Sequence, residues 1–125
     1  MDTFERWVEQ AKFDLDTARA MLGAGRYLYV LFCCQQAVEK MLKAVITSRT
    51  GTFPPRIHTL VRLAETASLP LEEESALFFR ELSTYYIQTR YPEEVSSMAA
   101  KISEEQSRSI LNQTEETIQW LHSMK

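Results

Sequence analysis

A chain of 125 residues, 45% hydrophobic and 25% charged, is long enough for one buried core and short for two. Three glycines and four prolines argue against a turn-rich all-β fold, and a net charge of −3 argues against bulk attraction to nucleic acid through a basic surface. No apolar run approaches the roughly 18–20 residues that span a bilayer. The acidic amino-terminal stretch Met1-Asp2-Thr3-Phe4-Glu5 lacks a signal-peptide pattern, so a cytoplasmic protein without membrane association is the expectation.

The periodicity predicts a first helix over Phe4–Leu22. Phe4, Val8, Ala11, Leu15, Ala18 and Leu22 recur at spacings of three and four, and Gly23-Ala24-Gly25 closes the run. A second helix is predicted over Tyr27–Arg49. Its first eight residues are all apolar or aromatic, the pattern of a helix buried all round, and its second half turns amphipathic. There Gln36, Glu39, Lys40 and Lys43 share one face, with Phe32 and Tyr29 on the same face one and two turns earlier, while Ala37, Met41, Ala44 and Val45 take the opposite side. Thr50–Pro55 reads as a loop, and a short helix follows over His58–Ala67 until Ser68-Leu69-Pro70 breaks it.

The fourth helix is predicted to begin near Leu71, with Glu72, Glu73 and Glu74 in a first turn where the macrodipole favours acids. Leu71, Phe78, Leu82 and Tyr86 mark its buried face. Pro92 disfavours a helical conformation at Tyr91, so the helix is expected to run on to Thr89 and stop at Arg90-Tyr91-Pro92. The polar, small stretch from Tyr91 to about Ile102 reads as loop. Ser103-Glu104-Glu105-Gln106 has the form of a capping box, opening a last helix with Ile110, Leu111, Ile118 and Leu121 inward. With no strand pattern and no repeat, the expectation is all-α: a single domain over residues 1–125, an up-and-down bundle of four long helices and one short one.

Few residues carry chemistry. Cys33 and Cys34 are adjacent on a helix, poorly placed to bridge, and read as small core residues. No Cys/His spacing marks a metal site, no glycine-rich phosphate loop occurs and no DNA-binding motif is visible, so neither cofactor nor metal is expected. Between Lys40 and Ala64 lie Lys40, Lys43, Arg49, Arg56, Arg62 and His58 with no acid among them, a local positive patch that is either a solvated surface or a site for an anion. Arg90, flanked by Tyr85, Tyr86 and Tyr91, is either an ordinary charge at a helix end or a guanidinium set among aromatics for phosphate or a base.

The string Gln35-Gln36-Ala37-Val38-Glu39-Lys40-Met41-Leu42-Lys43-Ala44 resembles the signature helix of HEPN domains, the "higher eukaryotes and prokaryotes nucleotide-binding" family. His58-Thr59-Leu60, Thr89-Arg90-Tyr91-Pro92 and the amino-terminal set Trp7, Ala11, Asp14 and Leu15 match in the same order, so the resemblance covers about the whole chain. It implies a helical bundle, usually a homodimer, often encoded beside a minimal nucleotidyltransferase in pairs that resemble toxin–antitoxin modules. The HEPN partner of such a pair can be a metal-independent endoribonuclease, an activity attached to an arginine followed, after four to six residues, by histidine. Here Arg90 supplies the arginine, but positions 95, 96 and 97 are Val95, Ser96 and Ser97. A valine cannot move a proton, and proton transfer is the natural role of that histidine.

The resemblance therefore implies a module that binds nucleotide or RNA phosphate through Arg90, with Tyr91, Tyr86, Gln36, Glu39 and Lys43 as ligand-binding candidates. The rival expectation is an endoribonuclease whose acid/base residue is altered. In that case Arg90 clamps the phosphate and His58, otherwise a residue capping or packing at a helix start, takes the missing histidine's place.

Overall fold

The structure, a computed structural model, describes residues 2–125; Met1, first of the acidic amino-terminal stretch, lies outside them. It is all-helical. Three long helices, α1 (Thr3–Gly23), α2 (Tyr27–Thr50) and α6 (Glu104–Ser123), are joined by three short ones, α3 (Leu60–Thr66), α4 (Glu73–Ser83) and α5 (Pro92–Ala99), which lie between α2 and α6 in the chain. No described helix is long and apolar enough to cross a membrane.

The stripe Phe4, Val8, Ala11, Leu15 and Ala18 buries α1, and Asp2 caps its start by accepting from the Glu5 amide at 2.8 Å. Gly25, at φ 72°, lets the chain reverse, with the Arg26 amide donating to Met21 O at 2.9 Å. Helix α2 is the centre of the molecule: it packs against each of the other five helices. Its burial differs from the expectation in an informative way. Tyr29, in the run predicted to be buried all round, is 47% exposed, whereas the half predicted to be amphipathic is buried at nearly every position from Gln35 to Ile46. Glu39 and Lys43 go inward there because each finds the other, and the loop before α3 brings His58 to them.

Helix α3 is held onto the bundle by Leu60, Leu63 and Ala64 and ends with Ser68 in the left-handed region, φ 56°. Ser103 caps α6 by accepting from the Gln106 amide at 3.1 Å, and Ile110, Leu111, Ile118 and Leu121 are all buried.

Two expectations for the segment after α4 are corrected. The helix stops at Ser83, not Thr89, because the next residues take three different neighbours. Tyr85 turns to α6, where its hydroxyl accepts from Gln106 at 3.3 Å, Tyr86 turns to His58, and Ile87 is buried. Residues 91–102 are not a loop throughout: α5 starts at Pro92, whose missing N–H costs nothing at a first helical position. Glu93 and Glu94 occupy its first turn, and Glu94 accepts from the Tyr91 amide at 3.3 Å. The expected number of helices thus rises by one while the all-α bundle stands.

The positive patch is also largely spent internally. Lys40 pairs with Asp14 at 2.6 Å, Lys43 pairs with Glu39 at 3.0 Å, and Arg49 donates to the carbonyls of Met124 and Ala67.

Candidate functional site

Glu39 is 4% exposed, and a buried carboxylate is tolerated only where donors surround it. Lys43, one turn on along α2, donates to Oε2 at 3.0 Å, and Gln35, one turn back, donates to Oε1 at 2.9 Å. The third partner comes from the loop before α3: Nδ1 of His58 lies 3.0 Å from Oε1 and 3.1 Å from Oε2. Gln35 Nε2 also reaches the His58 carbonyl at 3.3 Å, so loop and helix are joined twice. Lys43 further lies over the Trp7 ring of α1, 5.8 Å from its centroid.

The His58 side chain is 45% exposed, so the ring has one nitrogen on a buried carboxylate and one edge open to solvent. Tyr86 stacks on it with centroids 4.0 Å apart and planes inclined by 14°, and Phe32 meets Tyr86 edge-on at 6.0 Å. Burial, and after it the charge of Glu39, pushes the Tyr86 phenol above its ordinary value, so it stays a neutral hydroxyl. A carboxylate that holds one imidazole nitrogen selects the tautomer and orientation of the other, which is the usual preparation of a histidine for proton transfer.

Gln36 links this cluster to a groove. Its amide donates to Gln35 Oε1 at 2.7 Å, extending the chain of hydrogen bonds away from Glu39. With Asp14, Tyr29, Phe32, Cys33, Ile87, Gln88 and Val95 it lines an open hollow of about 450 Å³ between α1, α2 and the segment leading into α5. Aromatic walls with a few polar groups at the edges suit a small organic ligand. The cysteine there is not primed: burial first, then Asp14, pushes the Cys33 thiol up to about 11, and burial pushes Cys34 up to about 12.

Arg90 sits on the turn between α4 and α5. Its side chain is 35% exposed, and the guanidinium donates through Nη2 to the Thr84 carbonyl at 3.2 Å and through Nη1 to Glu94 Oε2 at 3.2 Å. Two anchors fix its plane and leave other N–H donors free. Tyr91 beside it is 74% exposed.

The sequence candidates thus divide into two groups. Glu39, Lys43, His58 and Tyr86 come together in one cluster, with Gln36 attached through Gln35. Arg90 and Tyr91 lie on the adjoining turn, connected to the cluster along the chain through Tyr86. Arg90 and Glu39 do not satisfy each other. Gln35 and Glu94, which tie the two groups down, were not among the candidates. Glu94 was legible as an acid four residues after an arginine; Gln35 stood four residues before Glu39, a spacing that shares its face, but Gln36 at a spacing of three was assigned to that face instead. No group of three or more His, Cys, Asp or Glu side chains among the described residues is placed to hold a metal ion.

Comparison with known proteins bears on the family and the fold. The family model described as HEPN domain matches residues 4–124. The crystal structure of TT1696 from Thermus thermophilus is similar with a TM-score of 0.83 and 27% identity, covering 100% of both chains. The crystal structure of ST0689, an archaeal HEPN homologue, is similar with a TM-score of 0.73 and 22% identity, again over 100% of both chains, a likeness of fold. No curated protein matches.

Proposed function

This chain belongs to the HEPN domain family, and from that premise we propose that it is a binding and regulatory module holding a nucleotide or an RNA phosphate at Arg90. It works as a homodimer beside a minimal nucleotidyltransferase, in a pair of the toxin–antitoxin kind. The observation that carries this reading is a doubly anchored, part-exposed Arg90 followed by Val95 where a proton-transferring histidine would stand. A guanidinium held in one plane is preorganised for a phosphate, and without a histidine at positions 95–97 binding is favoured over cleavage. Tyr29 at the groove mouth and Phe13 on α1, both exposed and large, support a partner surface.

Titration of the purified protein with ATP, AMP and short oligoribonucleotides tests it. Saturable binding is expected, weakened about tenfold or more in Arg90→Ala, the size of a charge-assisted hydrogen bond. Absence of saturable binding, together with absence of a co-purifying nucleotidyltransferase, would sink the reading.

One observation favours a second reading, a metal-independent endoribonuclease. The Glu39–His58 pair has the form of an oriented acid/base. RNA cleavage that persists in EDTA and is lost in both Arg90→Ala and His58→Asn is the outcome this reading expects. Intact RNA after incubation with micromolar protein counts against it.

A further inference from the structure

The turn that carries Arg90 has little regular structure to hold it. Between α4 and α5 its backbone is closed by turn bonds such as Tyr86 N to Ser83 O at 3.3 Å and Arg90 N to Ile87 O at 3.0 Å. Its seating on the bundle rests on side chains: Tyr85 to Gln106 of α6, Tyr86 on His58 and Phe32, and Ile87 in the groove. Among these contacts, Tyr86 on His58 is the one whose partner is an imidazole, a side chain that can take up a proton and with it a charge. The charged and titratable groups that face the ring are Glu39 and Lys43 from α2 and Tyr86 from the turn, with Trp7 of α1 behind Lys43.

We propose that His58 is a positioning residue that couples its own protonation to anion capture at Arg90. The proposal rests on the reading of Arg90 as a phosphate site. When the ring is neutral, Nδ1–H donates to Glu39 and the ring face stacks on Tyr86. When it is protonated, both contacts strengthen together: the hydrogen bond becomes an ion pair with a buried carboxylate, and the stack becomes a cation over an aromatic face. The turn is then held more firmly in the arrangement that presents Arg90. The cluster charge changes in the same direction. Glu39 and Lys43 offset each other, so the imidazolium leaves the cluster with a surplus positive charge on a ring that is 45% exposed, and this attracts an anion. Lys43 opposes the second charge, and the Glu39 carboxylate that both cations contact softens that repulsion while offsetting only one of the two charges. Anion binding therefore rises when the ring takes up its proton.

The test uses a short 2′-O-methyl oligoribonucleotide, which cannot be cleaved at the 2′ position, titrated at constant ionic strength between about pH 8 and about pH 5.5. Wild type is expected to bind about tenfold more tightly at the lower pH. His58→Asn keeps a donor for Glu39 but takes no charge, so its affinity should be flat over this range; His58→Phe keeps the stack and should be flat as well. In parallel, two-dimensional NMR follows the amides of residues 86–90. In wild type they should shift with the same midpoint as the His58 ring, and in His58→Asn they should not shift. Equal pH slopes in wild type and His58→Asn, or amides of 86–90 that ignore the His58 titration, overturn the coupling. Arg90→Ala separates the two readings: undiminished binding removes the phosphate site, while the NMR titration still decides whether His58 governs the turn.

Discussion

Glu39 shows how a residue that looks like half of a surface ion pair becomes a structural centre. An exposed Glu–Lys pair one turn apart on a helix contributes only about 0.2–0.5 kcal/mol. Here both partners are buried and a histidine 19 residues away completes the set. Glu39→Ala would leave the Lys43 ammonium buried without its carboxylate, and urea unfolding should show a loss of about 3–5 kcal/mol. A loss below about 0.5 kcal/mol would mean that the carboxylate is solvated after all. The sequence showed the Gln36, Glu39 and Lys43 spacing but not its direction, because only the distant loop bearing His58 turns that face inward. The thiols give a second residue-scale expectation. Cys33 and Cys34 are raised from 9.0 to about 11 and about 12, so the unfolded chain ionises first as pH rises. Their contribution to stability is complete below about pH 9 and declines as pH climbs toward the folded values. Iodoacetamide at about pH 8 should label the folded protein slowly, Cys34 slower than Cys33, and rapid labelling of Cys34 would contradict its burial.

The helices were legible to different degrees, for physical reasons. α1, α2 and α6 have long apolar periods and clear ends, and their predicted spans lie close to the observed ones. α4 and α5 were harder. The aromatic run Phe78–Tyr86 continues a helical pattern past Ser83, but tertiary partners draw Tyr85, Tyr86 and Ile87 in separate directions. Pro92 carries two meanings: it stops a helix on its amino-terminal side and starts one on its carboxy-terminal side. Glu93 and Glu94 directly after it were the signal for the second. α3 offers a test of local backbone strain. Ser68 adopts φ 56° at its end, a region that favours glycine, so Ser68→Gly should raise stability by about 0.5–1 kcal/mol in thermal unfolding. A decrease would show that the serine side chain compensates for its backbone.

At the scale of the molecule, α2 joins everything: α1, α3, α4, α5 and α6 all pack on it, whereas α5, among the described residues, packs on α2 alone. A core organised around one helix should lose its order at once. Urea unfolding followed by far-ultraviolet circular dichroism and by the fluorescence of Trp7 and Trp120 is expected to give coincident single transitions. Separated midpoints would mean that the amino-terminal and carboxy-terminal helices come apart independently. The same arrangement assigns different lifetimes to the two halves of the site. Amide hydrogens in the middle of α2, around Glu39, are expected to exchange with solvent only when the whole protein opens, which hydrogen–deuterium exchange would check. Those of α5 and the Arg90 turn, seated by a few side chains, exchange through small local openings. Hydrogen exchange is therefore expected to be slow at the Glu39 amide and fast at the Arg90 amide.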